Sequence, residues 1–255
     1  MVSLQLLSAH IIYKNNVKYD KENLTKPCIE LVNYIKNLHI NLTRSFENIV
    51  IEGNLEIIKY LCEVCKCDHT ALSNFAIIHA SFIGHLKIVK YLYKISNCDY
   101  KSPYNEAIRY ASENGHLEVV KYLYEVSNCD PTVRDNEAIR WASVNGHLDV
   151  VKYLYKVCKC DPTALDNFTI RFASQNGHLE VVKYLYEVYK CDPTAKNNYA
   201  IRWASYYGHL EVVKFLKEVC NCDPTVNNNE AIKWASEKSH LDVVKYLKEV
   251  CGCVL

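Results

Sequence analysis

The sequence predicts an all-α solenoid of stacked antiparallel helix pairs joined by short turns. Three observations carry this. A Gly-His-Leu marker or a near match falls at Gly53, Gly84, Gly115, Gly146, Gly177, Gly208 and Ser239, always 31 residues apart, with no insertion or deletion. On both sides of each marker apolar residues recur at helical spacing. Six of the seven glycines sit in the marker column, and four of the six prolines (Pro131, Pro162, Pro193, Pro224) share a Cys-Asp-Pro-Thr column.

The period divides residues 43–255 into seven copies: 43–73, 74–104, 105–135, 136–166, 167–197, 198–228 and 229–255. Positions are numbered within a copy, from Thr43, Asn74, Asn105, Asn136, Asn167, Asn198 and Asn229. Positions 1–10 read Asn-x-Ala-Ile-Arg-aromatic-Ala-Ser-x-x. Positions 3, 4, 7 and 8 form one apolar or small face, so this is a first helix. Asn at position 1 suits an N-cap, its side chain accepting from an orphan amide. Glycine at position 11 ends the helix by taking a left-handed cap conformation.

Positions 13–22 read Leu-Glu-Val-Val-Lys-Tyr-Leu-Tyr-x-Val, a second amphipathic helix. In the fourth copy Leu148, Val151 and Leu154 share a face. Asp149 suits that helix's N-terminus and is spaced to pair with Lys152. The Asp-Pro that follows stops the helix and opens a turn. A pair of helices of about ten residues cannot bury its apolar faces alone, whereas stacked pairs bury them against each other. Residues 1–42 do not keep the period, and "ELVNYIKNL" at 30–38 echoes the second helix out of register; they read as a divergent helical N-terminal cap.

Composition excludes several classes. The chain has 255 residues, 49% hydrophobic and 23% charged, enough for a core. A net charge of +1 gives no argument for nucleic acid or an anionic membrane. No apolar run approaches the roughly 18 residues of a membrane helix. The start has no basic region before its apolar part, so no secretory leader is expected. Nor is a C-terminal partner domain expected. Thirteen cysteines then read as reduced thiols in a cytoplasmic protein.

"AIRWASVNGHLDVVKYL" (138–154) resembles the ankyrin repeat, whose hallmark is Thr-Pro-Leu-His-x-Ala-Ala-x-x-Gly-His followed by a Leu/Val-rich helix. "NGHLEVVKYL" and the density of Asn, Lys, Ile and Tyr look most like the ankyrin arrays of amoeba-infecting giant DNA viruses. The resemblance covers residues 43–255 and implies an ankyrin-type solenoid. It departs in two ways. Arg109, Arg140, Arg171, Arg202 and Lys233 replace the first-helix His, and the copies are about two residues shorter than usual. The missing residues fall where the family builds a hairpin finger, so fingertip binding is not expected.

Four columns invite chemistry. Cys67, Cys98, Cys129, Cys160, Cys191, Cys222 and Cys253 occupy position 25, with Cys65, Cys158, Cys220 and Cys251 two residues earlier. Zinc needs four ligands around one point. Helices stack about 8–10 Å apart, too far for a shared metal and beyond the Cα limit of a disulfide. Buried cysteine acting as a small hydrophobe fits better. His85, His116, His147, His178, His209 and His240 stand one per copy; the resemblance implies that they tie neighbouring turns. The Arg and Lys columns alternate with acidic partners and read as internal bracing, not as the unpaired basic face of a nucleic-acid binder. No phosphate loop or catalytic motif occurs.

The fourth column is position 6: Asn48, His79, Tyr110, Trp141, Phe172, Trp203 and Trp234. Positions 2, 6 and 9 share the face opposite the core, which includes Phe75, Phe82, Val144, Phe168, Tyr199 and Tyr206. The position-6 ring packs between repeats or lines a groove, and both can hold. The expected partner-binding residues are Trp141, Phe168, Phe172, Tyr199, Trp203 and Tyr206, with Tyr207 beside them. The expectation is a non-enzymatic protein-binding scaffold or adaptor, viral and acting in the host cytoplasm if the resemblance extends to source. No cofactor, metal, nucleic acid, membrane or small-molecule substrate is expected, and the protein partner is unidentified. The rival readings are a metal- or redox-responsive cysteine array and a nucleic-acid-binding repeat.

Overall fold

The structure is a computed structural model and describes residues 49–63, 69–95 and 101–254. The expected cap (1–42), Asn48, Cys65, Cys67, Cys98, Asp68 and Asp99 lie outside the described residues. The chain divides into two compact units, residues 1–80 with 87–98, and residues 81–86 with 99–255.

In the first unit, α1 (Leu55–Glu63) follows helical backbone at 49–52, and the unit also holds most of α2 (His69–Ile83) and α3 (Leu86–Ile95). Ile49, Val50, Ile58, Ala76, Ile77, Ile88, Val89 and Leu92 are buried. Asn54, standing where later copies have His, caps α1 by accepting from the Ile57 amide at 3.2 Å.

The second unit is built from α4 (Lys101–Glu113), α5 (Leu117–Ser127), α6 (Val133–Val144), α7 (Leu148–Lys156), α8 (Ala164–Gln175), α9 (Leu179–Tyr189), α10 (Ala195–Tyr206), α11 (Leu210–Glu218), α12 (Val226–Glu237) and α13 (Leu241–Glu249). First helices α4, α6, α8, α10 and α12 form one layer and second helices the other, each packing on its counterparts in the adjacent pairs. No strand occurs among the described residues. The first-helix core is the predicted one, with Ala138, Ile139, Ala142 and Ser143 buried; the second helix buries Val150 with Val151 and Leu154 and leaves Leu148, expected on that face, half-buried, and the column equivalents follow except in the last copy, where Ser236 is exposed and Val244 half-buried. Buried Ser143 satisfies its hydroxyl on the Ile139 carbonyl one turn back, at 2.8 Å.

The Gly-His turn closes each first helix with a pair of returning bonds. Gly146 N–H donates to Ser143 O at 3.3 Å and His147 N–H to Ala142 O at 2.9 Å. In the second unit each second helix is followed within a few residues by a left-handed one, such as Lys159 at φ 60°. The Cys160 amide then returns to Leu154 O at 3.1 Å, which folds the buried thiol under the helix end. Asp161 Oδ1 accepts from both the amide (2.8 Å) and the hydroxyl (2.7 Å) of Thr163, so the Asp-Pro turn forms as expected.

Two expectations are corrected. Position-1 Asn is not an N-cap. Arg134, Asp135 and Asn136 have φ of 53°, 56° and 59°, one turn of left-handed backbone ahead of the right-handed helix. With Asn136 inside that turn, its side chain points away from its own helix amides and accepts from Asp161 N–H at 2.8 Å. The same turn occurs at Leu165–Asn167, Lys196–Asn198 and Asn227–Asn229. The Asp149–Lys152 pair is also absent. Glu56, Glu118, Glu180 and Glu211 pair with the Lys three residues on at 2.7–2.8 Å. Asp149, one methylene shorter, accepts instead from the next backbone amide, Val150 N–H, at 2.8 Å, and Lys152 lies over the Tyr184 ring.

Candidate partner-binding surface

Burial of positions 3, 4, 7 and 8 turns positions 2, 6 and 9 of the first helices away from the core. In the second unit their rings join. Phe168 stacks on Phe172 at 4.1 Å between ring centroids, Phe172 meets Tyr199 at 5.5 Å, and Tyr199 stacks on Trp203 at 5.5 Å. Trp203 then meets Tyr206 at 5.3 Å and Trp234 at 5.1 Å, with Tyr207 at 6.1 Å. Phe168, Phe172, Tyr199, Trp203, Tyr206 and Trp234 are half-buried and Tyr207 is exposed, so each ring both packs between repeats and shows an edge. Tyr199 O–H donates to Gln175 Oε1 at 2.5 Å, which fixes its ring.

Five of the six expected residues therefore form one continuous ridge on α8 and α10, which Trp234 carries onto α12. Trp141 is half-buried, but its indole N–H donates to Glu137 Oε1 at 3.2 Å, and no ring contact links it to the ridge. Val144, expected on the open face, is buried. Trp234 extends the ridge beyond the residues expected; its membership in the position-6 column was the available signal.

The arginine column shapes this surface. Arg140 sends Nε–H to Asp135 O (2.9 Å) and Nη2–H to Arg134 O (3.0 Å), clasping two carbonyls of the left-handed turn. Arg171 and Arg202 repeat the clasp on Asp166 and Leu165 and on Asn197 and Lys196. A planar fork suits two parallel acceptors in a way that an ammonium does not. Each guanidinium also faces rings: Arg140 lies 5.0 Å from Phe168, Arg171 5.1 Å from Tyr199, and Arg202 5.8 Å from Trp234. Burial lowers the Arg171 pKa. Lys238 stands 4.8 Å from the Tyr206 ring. The arginines therefore brace the backbone, and only part of each fork is left for a ligand.

The remaining columns are placed as follows. Cys129, Cys158, Cys160, Cys191, Cys220, Cys222 and Cys253 are buried free thiols and Cys251 is half-exposed. Burial pushes Cys129 and Cys253 up to about 11 and Cys158, Cys191, Cys220 and Cys222 up to about 12. Among the described residues no three metal-binding side chains converge. His116 Nε2–H donates to the Phe82 carbonyl at 3.0 Å, and His178 and His209 bond Val144 and Gln175 in the same way, tying each turn to the preceding copy. No helix among the described residues is long and apolar enough to cross a membrane.

A family model described as "Ankyrin repeats (3 copies)" matches residues 46–135, 96–166 and 170–253. No curated protein matches the chain. With that model matched across most of its length, and the stacked helix pairs to accompany it, the chain belongs to the ankyrin-repeat family.

Proposed function

We propose that this chain is a non-enzymatic scaffold that binds a protein partner along the aromatic ridge of its first helices. Ankyrin repeats are generally protein-interaction modules. The observation that carries the proposal here is the unbroken run from Phe168 to Trp234, half-buried and therefore rigid, yet open on one edge. Large rings held in place lose little entropy on binding and make the strongest anchors at interfaces. Glu106 and Glu113 on one flank and Glu237 on the other supply a polar rim. The resemblance to giant-virus arrays suggests a host protein as partner and the host cytoplasm as the place. The test is affinity capture with the full chain, repeated with folded Tyr199→Ala, Trp203→Ala and Tyr206→Ala variants. A partner captured equally by all of them, and lost when Lys121, Lys183 and Lys214 on the second helices are changed, would put the interface on the other layer. The buried thiols and the engaged arginines give the rival metal and nucleic-acid readings no comparable surface.

A further inference from the structure

Each position-5 arginine faces position 2 of the next copy, and what stands there is of two kinds. Arg109 meets Glu137, with Nε 3.6 Å from Oε2, and also Glu113 at 3.3 Å. Arg202 meets Glu230 through Nη1 in a close ion pair. Between them, Arg140 meets the ring of Phe168 and Arg171 that of Tyr199. Neither Arg140 nor Arg171 is ion-paired among the described residues. Asp166, the carboxylate nearest Arg171 in sequence, is held by Lys196 at 2.7 Å. Both arginines spend Nε and Nη2 on the left-handed turn, which leaves Nη1 of each. Arg140 is the more open; Arg171 retains 8% of its surface.

We propose that the ridge selects a peptide segment carrying carboxylate side chains beside an aromatic or aliphatic one, the carboxylates docking on Nη1 of Arg140 and Arg171. The inference rests on the scaffold reading above and names the chemistry of its partner. Where a copy supplies its own glutamate at position 2, the arginine is internally neutralised. Where it supplies a ring, the arginine's missing counter-ion has to come from outside. A peptide lying over the flanking rings would exclude water, and a charge-assisted bond gains strength there. The cationic stretch is short and bounded by Glu137 on one side and Glu230 on the other. A nucleic-acid strand, charged at every residue, would run onto those carboxylates, whereas a peptide with one or two acidic side chains would not.

The test uses the full chain and Trp fluorescence, with three ten-residue peptides as probes: alternating Glu and Phe, Gln and Phe, and Lys and Phe. A ten-residue oligothymidylate is the fourth probe. The Glu/Phe peptide is expected to bind at least tenfold more tightly than the Gln/Phe peptide, and to weaken as salt is raised. Phe168→Glu and Tyr199→Glu, which copy the natural arrangement at Glu137 and Glu230, should cost about tenfold or more for that peptide, and Glu230→Gln should strengthen it. Arg140→Gln provides a second test should the glutamate variants misfold, and the peptide series on the unaltered chain needs no variant. Equal binding of the Glu and Gln peptides, tighter binding of the oligonucleotide, or no binding of the Glu/Phe peptide overturns the proposal. If the partner captured by the scaffold is lost on Trp203→Ala but kept by both glutamate variants, the acidic partner falls and the ridge stands. If Trp203→Ala changes neither, the ridge falls too.

Discussion

The imidazole of His147 fills the space that a β-carbon on Gly115 would need: such a carbon would lie 2.5 Å from Nδ1. The relationship recurs between Gly84 and His116, Gly146 and His178, Gly177 and His209, and Gly208 and His240. The glycine column thus answers two demands, a φ of 75–89° and the ring of the next copy. Ser239 takes the same left-handed region, at φ 61°.

Gly146→Ala should therefore destabilise by more than the roughly 1–2 kcal/mol of a left-handed β-carbon, because His178 must also move. Combining it with His178→Ala should return part of the loss, a non-additivity that a double-mutant denaturation cycle reads. Ser239→Gly, with only φ to relieve, should stabilise by about 0.5–1 kcal/mol.

Acid should loosen the stack before carboxylates titrate. Burial lowers the pKa of His116, His178 and His209 below 6.5. The unfolded chain then binds more protons than the folded one just below that value, so stability is full above it and falls as pH drops through the folded pKa. Urea midpoints should be lower at about pH 5.5 than at about pH 7.5. Asp223, whose pKa is held down by its bonds from Thr225, does not titrate in that window. A flat profile would remove the histidines as the cause.

Arg171→Lys should cost about 1–2 kcal/mol, since an ammonium cannot span the Leu165 and Asp166 carbonyls as the fork does. The last copy has Lys233 at that position and three asparagines, Asn227, Asn228 and Asn229, in the left-handed turn. Asparagine tolerates that region best after glycine. Leu165→Asn, at φ 54° and 48% exposed, should accordingly stabilise by about 0.5–1 kcal/mol in thermal unfolding.

The buried thiols should resist labelling. With Cys158, Cys191, Cys220 and Cys222 pushed up to about 12, their thiolate fraction near pH 8 is about a thousandfold or more below that of an ordinary thiol. A native-state disulfide-exchange assay should show Cys251 reacting before Cys129, Cys158, Cys160, Cys191, Cys220, Cys222 and Cys253, and these only on unfolding. Fast labelling of most of them would contradict the burial.

The period, both helices and the core were legible because each rests on local rules repeated in register: Ile139 and Leu154 announce their faces by spacing alone. The left-handed turn was not. Arg134 and Leu165 carry no sign of positive φ, and the turn stands because Arg140 and Arg171, five and six residues on, satisfy its carbonyls. The ridge was legible as a column of rings. That Trp141 would bond Glu137 one turn back in its own helix rests on a side-chain choice that spacing does not fix, and that Phe168 and Tyr199 would stand where Arg140 and Arg171 lack a counter-ion depends on an adjacent copy that no single copy reveals.

The histidine-on-glycine joint is the same at the five described steps from Gly84 to His240, so it works as a coupling between interchangeable cars. Removing residues 136–166 would leave His178 to meet Gly115 as it now meets Gly146, and a loss or gain of whole 31-residue lengths breaks no joint. The ridge is not indifferent in the same way. After that excision Phe168 would face Arg109, which in the intact chain is held by Glu113 and Glu137. If the ridge binds as proposed, recombination between copies would change what it selects while the train stays coupled, re-aiming the surface without a new fold.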